Sequence, residues 1–218
     1  MLGIIRRRYR WRSRHPLKFH PELTDGTAAR DRLSTVGFIR REDGYESVWL
    51  DLTPGEAELR AGLDRKWRNK LVQAERHNLV LEVDTAGRQL DWLLEHYLED
   101  KTARHYRGPT PAFLRVLHGI STAQSPLVLL RALHGGRPVA GVLLVRHGRA
   151  ATYQVGWNGE AGRAVRAHHF LLWQAALWMK QSGYTGFDLG GINDTTHGIA
   201  QFKTGMGGEP FRLVGGYV

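Results

Sequence analysis

Near the end of the 218-residue chain, Phe187-Asp188-Leu189-Gly190-Gly191-Ile192-Asn193-Asp194 is followed by Gly198 and by Phe202-Lys203-Thr204-Gly205-Met206-Gly207-Gly208. A strand that ends in Asp-x-Gly-Gly exposes backbone N–H groups where no side chain blocks a ligand. Lys203 follows as a mobile cation able to hold a phosphate or a developing oxyanion. Asp188 is placed to accept a proton, or else to serve as a structural carboxylate at a strand end. The bland reading is a glycine-rich turn with a surface lysine. The combination of aromatic, lysine and paired glycines favours a site.

Two further clusters suggest anion binding. In Arg65-Lys66-Trp67-Arg68-Asn69-Lys70, helical spacing puts Arg65, Arg68 and Asn69 on one face and turns Trp67 to the core. Such a face can grip a phosphate or an RNA backbone, or simply be solvated. The stretch from Asn158 to Arg166 contains glycines and leads into a helix N-terminus, a natural anion site. Arg163 and Arg166 oppose the helix dipole there, which suggests that they face a ligand. The 11 histidines form no chelating pair: His168 and His169 are adjacent and diverge by about 100° on a helix. No metal site is expected. Without cysteine, a thiol nucleophile and a disulfide scaffold are excluded, and no Gly-x-Ser-x-Gly motif supports a serine triad.

The elements that must position these residues follow from periodicity. Thr35 to Arg40 and Glu46 to Leu52 read as strands around the turn Arg41-Glu42-Asp43-Gly44. Thr53 reads as the N-cap of a helix with Pro54 first and Glu56 third, running on to about His77. Leu59, Leu63, Trp67, Leu71 and Ala74 form its apolar face, and Asn78 closes it. A strand over Leu79 to Val83 precedes a helix over Gln89 to Arg104, with Leu90, Leu93, Leu94, Tyr97 and Leu98 inward. Ala112 to Ile120 is a shorter helix. Leu127 to Ala132, Val139 to Val145 and Ala150 to Trp157 form an antiparallel meander with tight turns. A nearly all-apolar helix from about Arg163 to Gln181 must be buried against that sheet. Thr185 to Leu189 is a strand, and Phe202 to Tyr217 supplies one or two more.

This order implies an α+β fold with one mainly antiparallel central sheet flanked by helices. Composition agrees, with 42% apolar and 24% charged residues enough for a core. The net charge of +10 is concentrated at the start: residues 1–20 hold seven Lys or Arg, among them Arg6, Arg7 and Arg8, and no acid. Residues 1–32 read as a basic extension, suited to a phosphate polymer or an anionic membrane face, and 33–218 as the main domain. No stretch reaches the roughly 20 apolar residues of a membrane span, nor is there a secretory h-region, so the cytoplasm is expected.

The meander, glycine loop and long helix resemble N-acyltransferase folds of the GNAT type. Four blocks carry a closer resemblance: Trp67-Arg68-Asn69-Lys70-Leu71, Arg137-Pro138-Val139-Ala140-Gly141, Ala167-His168-His169-x-Leu171-Leu172-Trp173, and Gly183 through Gly191 with Phe202 through Gly208. Together they resemble the FemAB family of peptidoglycan-bridge aminoacyltransferases, over roughly residues 35–217. The resemblance implies a GNAT-like domain that moves an amino acid from aminoacyl-tRNA, a co-substrate rather than a resident cofactor, to the amine of a peptidoglycan precursor or small peptide. It implies a functional lysine at Lys203, backed by Phe202, and an acyl channel shaped by Asp188, Gly190 and Gly191. Asn193, Tyr153, His168 and Arg163 would line the substrates, with Arg65, Arg68, Asn69, Lys70 and the N-terminal arginines on tRNA. Familiar members carry two such domains, and this chain resembles the second. A partner or a second copy is therefore expected in place of the first, with peripheral membrane contact left open. An acyl-CoA-dependent enzyme binding CoA at Gly159 to Arg163 and a non-catalytic RNA- or membrane-binding module are the alternatives.

Overall fold

The computed structural model describes residues 18–106, 108–120, 126–192 and 197–218. The elements in chain order are α1 (Thr27–Thr35), β1 (Arg40–Glu42), β2 (Glu46–Asp51), α2 (Glu56–Gly62), α3 (Arg65–Glu75), β3 (Val80–Asp84), α4 (Leu90–Arg104) and α5 (Pro111–Gly119). Then follow β4 (Leu127–His134), β5 (Arg137–His147), β6 (Ala150–Asn158), α6 (Glu160–Ala164), α7 (Ala167–Gln181), β7 (Gly186–Asp188), α8 (His197–Thr204), β8 (Glu209–Arg212) and β9 (Gly216–Tyr217). Seven strands form one sheet in the order β3-β4-β5-β6-β7-β2-β8. Every neighbouring pair is antiparallel except β6–β7, which is parallel. This is the expected α+β architecture with its antiparallel meander.

Strand alternation sends apolar side chains to both faces. On one face Val128, Leu130, Val142 and Leu144 meet Leu71 of α3 and Leu172, Trp173 and Met179 of α7. On the other, Leu127, Leu129 and Leu143 meet Leu93, Leu94 and Tyr97 of α4 and Leu114 of α5. The apolar α7 is thus buried against the sheet, as its composition requires.

Several boundaries differ from the sequence reading, each for a local reason. Thr35 closes a helix instead of opening a strand, and Gly37 reverses the chain at φ 83°. β1 then pairs with β9 rather than with β2, so the expected hairpin is absent among the described residues. The long helix after Thr53 is two helices, because Asp64 caps α3 by accepting from the Lys66 and Trp67 amides. Thr53 does not cap α2; its amide and hydroxyl donate to Asp51, and Gly55 takes the N-cap position. The helix expected from Arg163 is interrupted where Arg166 turns left-handed at φ 57°. Leu98 is 47% exposed rather than inward. Phe202 and Lys203 lie on α8, not on a strand.

Residues 18–32, read above as part of a basic extension, pack against the C-terminal strands. Phe19 exchanges backbone hydrogen bonds with Tyr217, and Leu33 is fully buried with Phe38, Val214 and Tyr217. Lys18 pairs with Glu42. Arg6, Arg7 and Arg8 lie outside the described residues.

Leu33→Ala should therefore lower the unfolding free energy by about 2–4 kcal/mol in chemical denaturation, the usual cost of a buried leucine. A loss under about 0.5 kcal/mol would mean that this small cluster does not belong to the cooperative unit.

Candidate active site

The parallel pair β6–β7 holds register only from Ala150↔Gly186 to Thr152↔Asp188. Beyond that point β6 continues along β5, whereas residues 189–192 follow β2, with Leu189 donating to Val48 and Ile192 to Glu46. The two strands part, and a wedge opens at their carboxyl ends, where open α/β sheets hold ligands. A bulge in β6 shapes its wall: Leu143 faces Val155 but Leu144 faces Tyr153, leaving Gln154 extra. The bulge flips the alternation, so Tyr153 turns to the α7 side while Val155 stays on the α4 side.

Asp188 closes the apex of the wedge. Its Oδ1 accepts from the Ser47 hydroxyl and, at 2.9 Å, from the Gly190 amide; its Oδ2 accepts from the Thr152 hydroxyl at 3.2 Å. Three donors from β2, β6 and the following turn offset the cost of burying this carboxylate. The turn needs glycine: Gly190 sits at φ 77°, and a Cβ there would lie 2.4 Å from the Tyr153 carbonyl oxygen. The Tyr45 ring lies against this turn, so that a Cβ on Gly191 would fall 3.0 Å from it. Although the Tyr45 residue is 44% exposed, its hydroxyl end is enclosed. Burial, then the Asp188 charge, pushes its pKa up to about 12.

Lys203 enters the wedge from the last turn of α8. It is only 7% exposed. Its Nζ donates to the Gly191 carbonyl at 2.8 Å and lies 5.3 Å from the centre of the Tyr153 ring. Burial pulls its pKa down to about 8, against a smaller upward pull from the Asp188 charge. A lysine so held is still mainly protonated at neutral pH and is partly desolvated, which strengthens its grip on a developing anion. Burial also raises the Tyr153 phenol, so that ring stays neutral.

Around Lys203 stands an aromatic wall. Phe202 stacks against Trp67 at 6.1 Å and His168 at 6.2 Å, and meets the edge of His169 at 4.9 Å. The His168 Nε2–H donates to the Trp157 carbonyl at 3.1 Å. Burial pulls His168 down to about 4 and His169 to about 3; nearby Lys70 and Arg166 add to the second shift. Both imidazoles are neutral near pH 7.

The structure thus brings together Lys203, Phe202, Asp188, Gly190, Gly191, Tyr153 and His168. Arg65, Arg68, Asn69 and Lys70 lie on α3, whose Trp67 packs on Phe202, and the Lys70 charge reaches His169. Arg163 stands apart on α6, exposed, with its guanidinium donating to the Asn158 carbonyl at 2.7 Å. Asn193 lies outside the described residues. Ser47, Thr152 and Tyr45 were not singled out from the sequence, and His169 was weighed there as a metal ligand. Those three reach the wedge only through the pairing of β2, β7 and β6, which no local pattern encodes. The place of His169 in a resembling block was the other signal.

A family model described as acetyltransferase (GNAT) domain matches residues 58–204. Among curated proteins, none matches the chain. Among solved structures it is similar to FemX, at 14% identity and TM-score 0.76, over 92% of this chain and 71% of that one. It is also similar to L-PGS from Bacillus licheniformis, at 11% identity and TM-score 0.58, over 94% of this chain and 68% of that one. The C-terminal domain of a putative lysylphosphatidylglycerol synthetase from Agrobacterium fabrum is similar at 15% identity and TM-score 0.57, over 92% of this chain and 66% of that one. At these identities the likeness is one of fold, and that fold is FemAB-like.

The buried lysine gives a test independent of activity. An unfolded lysine keeps its proton up to about 10.5, whereas Lys203 gives it up near 8. The unfolded state binds more protons between those values, so folding stability rises with pH across that window. Lys203→Met removes the penalty, which is roughly 3 kcal/mol below pH 8. The variant should be more stable than the parent at pH 7, and its advantage should shrink steadily between pH 8 and 10.5 in thermal or chemical melts. An advantage independent of pH would mean that Lys203 is not desolvated.

Proposed function

Because the chain belongs to the acetyltransferase (GNAT) domain family, we propose that it transfers an aminoacyl group from aminoacyl-tRNA to an acceptor amine, forming a peptide bond. The observation that carries this reading is the buried Lys203 ammonium, held by Gly191 in the wedge between β6 and β7. An ester carbonyl entering the wedge meets a fixed cation. The acceptor nitrogen attacks the carbonyl carbon, and Lys203 stabilises the oxyanion of the tetrahedral intermediate. The carbon–oxygen bond to the ribose then breaks, the amine loses a proton, and the departing hydroxyl gains one. An aminoacyl ester is already activated, so orientation and charge stabilisation supply most of the rate.

Asp188 has three donors on its two oxygens, which suits it to setting the Gly190–Gly191 turn. The basic face of α3, with Arg65, Arg68, Asn69 and Lys70, is the reading for the donor RNA, joined by the N-terminal arginines. Arg163 and Asn193 belong to the same proposal as substrate contacts. FemX and the lysylphosphatidylglycerol synthetases support an aminoacyl donor through fold likeness. The acceptor is a peptide or peptidoglycan-precursor amine, and a cytoplasmic location follows from that donor. A second copy or a partner protein standing in for a first domain, and contact with the membrane surface, complete the reading. The description of the matching family model favours acyl-CoA as the rival donor.

Purified protein should be incubated with radiolabelled aminoacyl-tRNAs, with and without precursor peptides. Label is expected to move to an amine in an RNase-sensitive way, and Lys203→Met should lower the rate at least 100-fold, on the order of one oxyanion contact. Turnover of acetyl-CoA in place of tRNA would transfer the reading to the rival donor. Asp188→Asn separates two roles. An asparagine oxygen still accepts from Ser47 and Gly190, and its amide can face the Thr152 oxygen, but it cannot take a proton. Turnover within about tenfold of the parent is expected; a loss beyond about 1000-fold would make Asp188 the general base.

A further inference from the structure

The last turn of α8 carries Lys203, and its carbonyl groups have separate fates. Those of Gln201, Lys203 and Thr204 are met locally, by the amides of Gly205, Met206 and Gly207 at 3.0, 3.1 and 3.0 Å. Those of Phe202 and Gly205 are met from another element. The Trp67 indole Nε1 donates to the Phe202 oxygen at 2.9 Å, and the Asp64 amide donates to the Gly205 oxygen at 2.9 Å. Asp64 is the N-cap of α3 and Trp67 lies in its first turn. The start of one helix therefore caps the end of another, satisfying carbonyls that a helix cannot satisfy alone.

The fit is tight on both sides. Trp67 is 3% exposed, so its N–H has no water to turn to. A Cβ on Gly205 would lie 2.9 Å from the Trp67 ring, and one on Gly207 would lie 2.5 Å from the Gly62 carbonyl oxygen just before α3. The ring also stacks on Phe202, the residue before the lysine. The same α3 carries Arg65, Arg68, Asn69 and Lys70 on its outer surface.

We infer that Trp67 is a positioning residue: its indole N–H, with the Asp64 amide, locks the helix end that holds Lys203 in the wedge and ties it to the basic face of α3. Removing that donor leaves the Phe202 carbonyl buried and unpaired. The last turn then loosens, and Lys203 swings toward water. Chemistry suffers, because the cation is no longer fixed where charge develops, whereas ground-state binding on the outside of α3 is unaffected.

For its kinetic readout this inference rests on the proposed aminoacyl transfer; for its second readout it does not. Trp67→Phe keeps a ring against Phe202 and deletes only the donor. It should lower kcat for label transfer about tenfold with KM for the donor RNA changed less than twofold. By isotope-labelled lysine ε-methylene NMR, the Lys203 titration should move up from about 8 toward the ordinary lysine range as the side chain hydrates. Gly205→Ala presses on the same contact from the α8 side and should shift both readouts in the same direction if Trp67→Phe fails to fold. A Lys203 titration unchanged in both variants overturns the inference, as does a rise in KM alone. If the parent protein transfers no aminoacyl group, the functional reading falls while the titration still decides the role of Trp67.

Discussion

One buried carboxylate organises the site. Asp188 lies where a parallel strand pair stops pairing, and it gathers a hydroxyl from β2, a hydroxyl from β6 and an amide from its own turn. A carboxylate at 8% exposure is tolerable only with such a set of donors, because burying a charge without hydrogen-bond partners is costly. The consequence is geometric. Once Gly190 is bound back to Asp188, Gly191 presents its carbonyl into the wedge, and that carbonyl is what holds Lys203.

The wedge itself exists because two strands follow different partners. β6 stays with β5 to Asn158, while the chain after Asp188 stays with β2. The bulge at Gln154 then turns Tyr153 toward the lysine rather than toward α4. A neutral phenol ring beneath an ammonium favours the cation by its quadrupole without binding it as an anion would. Among the described residues, Lys203 is thus desolvated without a partner in an ion pair.

On the other side, neutral histidines complete the enclosure. His168 and His169 add polarizable surface around Phe202 without adding charge, because burial outweighs their tendency to protonate. The sign of that effect runs opposite to acid stability. As pH falls below the ordinary histidine range, the unfolded chain takes up protons that the folded chain resists, and folding weakens.

Much of this was legible in the sequence. The apolar runs from Leu127 and from Val139, with the tight turns at Gly135-Gly136 and Gly148, specified the meander, and the apolar stretch of α7 specified a buried helix. Asp188, Gly190, Gly191 and Lys203 were marked by the combination of a strand-ending Asp-x-Gly-Gly with an aromatic and a lysine close behind. Those features depend on neighbours in the chain. The helix break at Asp64, the left-handed Arg166 and the pairing of β1 with β9 depend on distant packing, so periodicity missed them. Ser47, Thr152 and Tyr45 became part of the site only when β2, β7 and β6 met side by side. Trp67 read as a core residue and is one. That its N–H reaches the backbone beside Lys203 was decided by tertiary structure, because a hydrogen bond between residues 67 and 202 has no local signature.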